Sequence, residues 1–252
     1  MLKKDKCIVL IKANPHLSSS HFETVCCAGV GEDGLWRRQY PVSFRILEDE
    51  QKFKRWSWIE YEYIEPKNDN RKESQKVQDK SIRVIGQAKQ RTKESALQRL
   101  TFHSFKKPEE NEDSLTLIRP SKSEFYWKER TQDDLTRTAK KHAAVTDQMS
   151  LFYKDAEPLH QCPYSFHFRW TDEFGVEWNS TCDDWESSAT FFNRRRLMKS
   201  EDLALESMSQ TFNQTYPEKG MVLAFSTHSR RNWQWLLVGI LRSDFPESEL
   251  LI

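Results

Sequence analysis

The chain has 252 residues, a formal net charge of +1, 31% charged residues and a high aromatic content (Trp 9, Phe 15, Tyr 7). So many aromatic residues exclude a disordered chain, and seven glycines without a G-x-G-x-x-G or G-K-[ST] motif argue against the glycine-dependent nucleotide-binding folds. The small net charge excludes a uniformly basic nucleic-acid coat, but local basic patches remain compatible with it.

The N-terminal segment is not expected to be a targeting signal. Its apolar run, residues 7–12, is short and closed by a lysine, whereas a signal peptide needs a longer stretch and a small-residue cleavage site. No later run approaches the roughly 20 apolar residues of a membrane span. Five cysteines without C-x-x-C spacing are typical of a reduced protein. We therefore expect a cytoplasmic protein without a membrane partner.

Residues 1–88 are predicted to form an antiparallel, strand-rich and small barrel-like unit. Asp33-Gly34 is a strong hairpin signal between two strand-like segments. Residues 44–56 have helical character, and strands are predicted from the patterns at residues 7–12, 57–65 and 81–87.

Residues 89–149 are predicted to connect this unit to a second one. The connection starts with a basic helix whose Ala96, Leu97 and Leu100 face inward, followed by a polar, exposed loop with the sequence KKPEENEDS.

Residues 150–252 are predicted to form a C-terminal antiparallel sheet with packed helices. Phe166, Phe168 and Trp170 alternate with polar residues on a hairpin strand, so one face of that strand is aromatic and buried. Two apolar strands surround a polar turn at residues 227–232. The fold class is therefore α+β.

The stretch DGLWRRQYPVSFR, residues 33–45, is the strongest candidate for a binding surface. On a strand, Trp36, Arg38 and Tyr40 share one face. Such a face suits stacking on bases, with a guanidinium for phosphate. Pro41 is predicted to end the strand and to direct Phe44 and Arg45 towards the same rim. The alternative is that the aromatic residues are core residues and that the arginines pair with Glu60, Glu62 or Asp69.

Two further segments extend this prediction. In DNRKES, residues 69–74, Arg71 and Ser74 can complete an anion pocket beside Arg38, or the segment is simply a hydrogen-bonded turn. The basic helix can continue a phosphate-tracking groove, or it is an ordinary solvated face. The predicted nucleic-acid-binding residues are Trp36, Arg37, Arg38, Tyr40, Phe44, Arg45, Arg71, Ser74, Lys89, Arg91, Lys93 and Arg99.

Catalytic patterns are weaker. Asp183, Asp184 and Glu186 can hold a divalent cation for a nuclease reaction, or they cap a helix N-terminus. STHSRR, residues 226–231, fits either a phosphate site or an exposed hairpin loop. We predict neither a metal nor a cofactor, and no catalytic residue is assigned.

Several blocks resemble a widespread bacterial family of uncharacterised proteins. Its members show a CTAGI…W-x-R-x-YP-x-x-FR block followed by D-x-R-x-ES, similar to ETVCCAGVGEDGLWRRQYPVSFR and DNRKES here. The resemblance covers most of the chain except residues 105–150, and it implies one coherent architecture but no activity. Cys27 stands where the pattern has Thr. The motif positions are occupied by Cys26, Gly29, Trp36, Arg38, Tyr40, Pro41, Phe44, Arg45, Asp69, Arg71, Glu73 and Ser74.

The resulting functional prediction is a module that binds DNA, RNA or nucleotides, as a recognition component of a larger bacterial or phage system. The alternatives are a metal-dependent nuclease or other hydrolase acting on nucleic acid, and a protein-interaction scaffold with a protein partner. The sequence leaves open whether the protein is an enzyme.

Overall fold

The computed structural model describes residues 1–18, 22–150 and 160–243. The strands are β1 (Lys3–Lys12), β2 (His16–Ser18), β3 (Phe22–Gly31), β4 (Trp36–Val42), β5 (Ser57–Ile64), β6 (Ser74–Val77), β7 (Arg83–Gln87), β8 (Thr101–Phe102), β9 (Leu115–Ile118), β10 (Lys122–Glu129), β11 (Tyr164–Thr171), β12 (Glu177–Thr181), β13 (Met221–His228) and β14 (Arg231–Arg242). The helices are α1 (Gln90–Leu100), α2 (Lys106–Glu110), α3 (Gln132–Ser150), α4 (Trp185–Met198), α5 (Glu201–Gln210) and α6 (Tyr216–Glu218).

The chain divides into two compact units. Described residues of ranges 1–88 and 129–164 form the first unit, and those of ranges 89–128 and 165–252 form the second. The segment predicted to connect two units therefore contributes to both, because α1 belongs to the second unit and α3 to the first. The predicted α+β class is confirmed.

Five strands of the first unit close into a barrel. β1 pairs with β3, β3 with β4, β4 with β6, β6 with β5, and β5 again with β1. The β4–β6 pair is parallel, and the other four pairs are antiparallel. This strand order, closed by one parallel pair, is that of an OB-fold barrel. The predicted small barrel-like unit is confirmed.

The barrel strands approach each other closely at Gly29 on β3. A Cβ atom built on this residue would lie 2.2 Å from the backbone oxygen of Ile8 on β1. Only glycine fits here without a shift of backbone, because real Cβ atoms do not approach an oxygen so closely.

A chain of polar side chains lies inside the barrel and links four of its strands. Gln39 Nε2 donates to Tyr61 Oη (3.0 Å), which donates to Gln75 Oε1 (2.5 Å). Gln75 Nε2 donates to Asp5 Oδ2 (2.7 Å), and Arg37 Nε donates to the same oxygen (2.6 Å). Burial raises the pKa of the Tyr61 hydroxyl well above its usual value, so this group remains protonated. A buried hydrogen-bonded network of this kind fixes the strands relative to one another, although Gln39 Oε1 has no partner in it.

Two local predictions in the first unit are wrong. Residues 44–56 contain two 3-10 turns, Phe44–Ile46 and Asp49–Gln51, instead of a helix. The reason is packing, since the rings of Phe44 and Phe53 meet edge to face at 4.9 Å and Phe53 is buried. In addition, β4 continues through Pro41 to Val42, so the proline does not end the strand.

The second unit contains two sheets, with orders β10-β11-β12 and β14-β13-β9-β8. Phe166, Phe168 and Trp170 of β11 are buried, which confirms the predicted aromatic face. Phe191 of α4 lies 6.2 Å from Phe166, and Phe212, in the π-helical turn Thr211–Thr215, lies 6.0 Å from Phe168, measured between ring centroids. The helical segments therefore cover this face.

Helix α1 buries Ala96, Leu97 and Leu100, as predicted. The expected polar loop after it contains the short helix α2, in which Pro108 is buried. Among the described residues, no helix is both long and apolar enough to cross a membrane.

Candidate nucleic-acid interface

The predicted binding strand is β4, and its two faces have different roles. Arg37 and Gln39 join the polar network inside the barrel. Trp36, Arg38 and Tyr40 therefore point to the outer face by strand alternation. In OB-folds, the second and third barrel strands and the loops between strands one and two and between strands four and five form the ligand surface. β3 and β4 hold these two strand positions here.

Arg38 lies on the outer face but is removed from solvent. Its guanidinium Nη2 is 3.1 Å from Glu73 Oε1, and the two side chains are 2% and 4% exposed. The backbone N–H of Arg38 also donates to the carbonyl oxygen of Glu73 (2.8 Å). This is a correction to the sequence prediction, because a phosphate cannot reach a guanidinium that is buried against a carboxylate.

The loop between β5 and β6 is organised by Asp69. Arg71 donates from Nε and Nη2 to the two carboxylate oxygens (2.8 and 2.6 Å), and Ser74 Oγ donates to Oδ2 (2.8 Å). Burial opposes ionisation of Asp69, but the hydrogen bonds from Arg71 and Ser74 outweigh it and lower the pKa of the carboxyl below its usual value. Ser74 is also the strand partner of Arg38. The segment is therefore the hydrogen-bonded turn that we considered as an alternative, placed beside Arg38.

Arg45 is held by Glu23 at the start of β3. Its Nη1 donates to both carboxylate oxygens at 3.0 Å, and Glu23 also lies 3.5 Å from Nδ1 of His142 on α3. Burial lowers the pKa of the His142 imidazole below 6.5, although the nearby Glu23 acts in the opposite direction. Arg45 keeps about a quarter of its side chain exposed (24%).

Arg37 is paired twice, with Asp5 at 2.6 Å and Asp33 at 2.7 Å. The predicted arginines of the barrel thus bind carboxylates, but the partners are Asp5, Asp33, Glu23, Glu73 and Asp69 rather than the glutamates of β5. Asp33 and Asp69 are close in sequence to their arginines, whereas Asp5, Glu23 and Glu73 come from strands and loops that sequence spacing alone does not bring together.

The aromatic residues of the outer face remain accessible. Tyr40 is 44% exposed, and Trp36 is half-buried. The Tyr40 hydroxyl has a long contact of 3.4 Å with the Thr24 hydroxyl. Phe44 is half-buried and lies under the ammonium group of Lys12, 4.8 Å from the ring centroid. The rings of Trp36 and Tyr40 are therefore the accessible part of the predicted surface.

The predicted basic helix, α1, belongs to the second unit. Lys89, Arg91 and Arg99 are exposed and Lys93 is half-buried, on the side away from the buried apolar residues. This arrangement is a solvated basic face. The role of the helix in a phosphate-tracking groove stays a prediction.

Asp184 has a structural role at the N-terminus of α4. It is the N-cap residue, and its carboxylate accepts hydrogen bonds from the backbone N–H of Glu186 (3.3 Å) and from Ser187 Oγ (3.3 Å). This confirms helix capping. Within residues 1–18, 22–150 and 160–243, no three His, Cys, Asp or Glu side chains are grouped so that they could hold a metal ion.

Two further surfaces lie in the second unit, and the sequence pattern pointed only to the second of them, through STHSRR at residues 226–231. The first is on the β10-β11-β12 sheet, where Tyr126 stacks on His167 (5.0 Å, 18°) and the Arg169 guanidinium lies 4.7 Å from the Tyr126 centroid. Arg169 also pairs with Glu124 (2.9 Å). An open cleft of about 550 Å³ adjoins this sheet. The second is the β13–β14 hairpin, considered below. Period-two alternation predicts such strands but does not reveal which of their polar faces stay uncovered.

The first unit is thus an OB-fold barrel with an aromatic outer strand, and the second is a separate α+β unit. Residues 3–103 match the family model of a domain of unknown function, DUF8758. Residues 98–250 match a second domain of unknown function, DUF8757, which covers more than half of the chain. The chain therefore belongs to the DUF8757 family. No curated protein matches it.

Proposed function

We propose that this protein binds single-stranded nucleic acid through the outer face of its barrel. The observation that carries the proposal is the OB-fold strand order with Trp36 and Tyr40 on the outer face of its third barrel strand. Barrels of this topology bind oligonucleotides on that face, and successive bases stack on aromatic side chains there.

The arginine pairs give this surface a fixed frame. Arg38–Glu73 attaches the β5–β6 loop to β4, next to the exposed rings, and Arg71–Asp69 stabilises the loop internally. That loop occupies the position between the fourth and fifth barrel strands, which contributes to ligand binding in OB-folds. Its exposed lysines, Lys67 and Lys72, are therefore the groups that we assign to phosphate contacts.

Substitution of Tyr40 tests the proposal. Tyr40→Ala removes an exposed ring and should weaken binding to labelled oligothymidine by about 1–3 kcal/mol, the range for one base–aromatic stack. Tyr40→Phe is the matched control, because it keeps the ring and loses only the long hydroxyl contact to Thr24. Fluorescence anisotropy measures both affinities. Equal affinities for the wild type and both variants would exclude Tyr40 from the interface.

We also propose that the protein acts in the cytoplasm, as a recognition component of a larger bacterial or phage system. The cysteines support this location because the structure records no disulfide between them in its described residues, as expected in a reducing compartment. The hydrolase alternative is less well supported, since Asp184 is engaged in helix capping and only 2% exposed.

A further inference from the structure

The tip of the β13–β14 hairpin carries an exposed tryptophan beside two arginines. Trp233 is 74% exposed, the largest exposed fraction among the described aromatic residues. Arg230 and Arg231 precede it and are exposed as well. Within the described part of the chain, neither arginine forms an ion pair. This distinguishes them from the four arginines of the predicted barrel site, Arg37, Arg38, Arg45 and Arg71, each of which has a carboxylate partner.

Trp233 lies where the pairing of β13 and β14 is irregular. His228 pairs with Arg231, whereas the preceding residue, Thr227, pairs with Trp235. Residues 232–234 therefore have no partner on β13, and they form a bulge in β14. Bulges re-aim side chains and often occur next to functional sites.

The base of the same hairpin is rigid. Trp235 stacks on Phe105 with ring centroids 4.9 Å apart and planes at 4°, and its Nε1 donates to Glu109 Oε1 (3.1 Å). Trp235 is thus fixed by packing, and Trp233 is presented to solvent from a fixed base. The ring of Trp233 is therefore available to a ligand, and covering it would remove apolar surface from water.

The chemistry of the tip selects the ligand. An exposed indole offers a stacking surface for a base, and two adjacent guanidiniums suit phosphates. A membrane surface fits less well, because Trp233 lies between Asn232 and Gln234 and does not form a contiguous apolar patch. The geometry points to a second nucleic-acid contact: we propose that Trp233 stacks on an unpaired base while Arg230 and Arg231 bind the flanking phosphates. This inference rests on the proposed function, but it concerns a different unit and different residues.

Affinity measurements with the full chain test the inference. Trp233→Ala should weaken binding to single-stranded DNA of about 16 nucleotides by roughly 5- to 150-fold, and Trp233→Phe should retain most of the affinity. Arg230→Ser with Arg231→Ser should reduce the slope of log affinity against log salt by about 1.4, at about 0.7 per lost phosphate contact. The matched control is Lys140→Ser with Lys141→Ser, which removes two exposed charges from α3 and should leave the slope almost unchanged.

Photocrosslinking gives an independent readout. After irradiation of the wild type with a 4-thiothymidine oligonucleotide, the tryptic peptide of residues 232–242 should carry the crosslink. The inference would be overturned if the wild type binds, Trp233→Ala binds with the same affinity, and this peptide carries no crosslink. The barrel proposal would then still stand. Absence of any nucleic-acid binding by the wild type would overturn both. Binding to phosphatidylglycerol vesicles that is lost in Trp233→Ala, with DNA affinity unchanged, would also overturn it.

Discussion

Arg38 and Glu73 form an ion pair of 3.1 Å that is almost completely buried, with side-chain exposures of 2% and 4%. Arg38 lies on β4, and Glu73 immediately precedes β6, so the pair lies where the only parallel strands of the barrel meet. A residue that the sequence suggests as a phosphate ligand therefore contributes to closing the barrel.

Loss of one partner should destabilise the fold strongly. Arg38→Met leaves Glu73 buried without its cation, and we expect a loss of about 3–5 kcal/mol in the free energy of unfolding. Arg38→Met with Glu73→Met removes both charges and should recover much of that loss. Urea denaturation followed by circular dichroism measures both values. If the single variant is as stable as the wild type, the pair does not hold the barrel closed.

Glycine 29 should not tolerate a side chain. Gly29→Ala places a Cβ against backbone, 2.2 Å from the Ile8 oxygen, and should cost about 1–3 kcal/mol or more. Gly31→Ala on the same strand is the matched control. The atoms nearest to its Cβ would belong to the side chains of Asp33 and Arg37, at 2.8 and 2.9 Å, and side-chain ends can move. Thermal denaturation should show the larger loss for Gly29→Ala, and the reverse order would contradict the β1–β3 approach.

The cysteines should differ sharply in reactivity. Burial raises the pKa of Cys7 and Cys182 to about 12 and that of Cys27 well above 9. Cys26 and Cys162 are half-buried. Since the thiolate is the reactive form, iodoacetamide at neutral pH should label only Cys26 and Cys162 in the folded protein and all five cysteines after denaturation. Mass spectrometry of tryptic peptides identifies the labelled cysteines. Early labelling of Cys7 would contradict the closed barrel.

Acidification should weaken the fold in a window set by His142. Burial keeps the pKa of folded His142 below 6.5. The charge of Glu23 raises this pKa, whereas Arg45 and His16 lower it further. The unfolded chain therefore takes up this proton more readily than the folded protein. The contribution of neutral His142 to the free energy of unfolding is fully present above about pH 6.5. It is lost as the pH decreases through the pKa of the folded state. The free energy of unfolding should be lower at about pH 5.5 than at about pH 7.5, and His142→Gln should show a smaller difference. An identical difference in this variant would exclude His142 as the source.

Local patterns predicted the parts of the fold that depend on neighbouring residues. Alternation assigned Trp36, Arg38 and Tyr40 to one face of β4 and identified the aromatic face of β11. The inward residues of α1 were equally clear. In each case the side chains that share a face are two, three or four positions apart, so a short window contains the whole signal.

Long-range pairing explains what the sequence did not predict. Glu73 is 35 positions from Arg38, and the polar chain inside the barrel joins Asp5 to Gln75, 70 positions away. Strands β4 and β6 are joined by only two residue pairs. Such a short pairing gives no periodic signal in the sequence. The exposure of Trp233 depends on a bulge in the register with β13, and no composition rule predicts such a bulge.

The most direct test of the proposed function is the affinity of the full chain for single-stranded DNA and RNA at two salt concentrations. We expect measurable binding at about 50 mM salt and a clear loss of affinity at about 200 mM, because phosphate contacts release counterions. Anisotropy with fluorescein-labelled oligonucleotides gives both values, and an unlabelled competitor excludes binding to the dye. Absence of binding at low salt, with DNA and RNA in both single- and double-stranded form, would contradict the proposal that this barrel is a nucleic-acid-binding module.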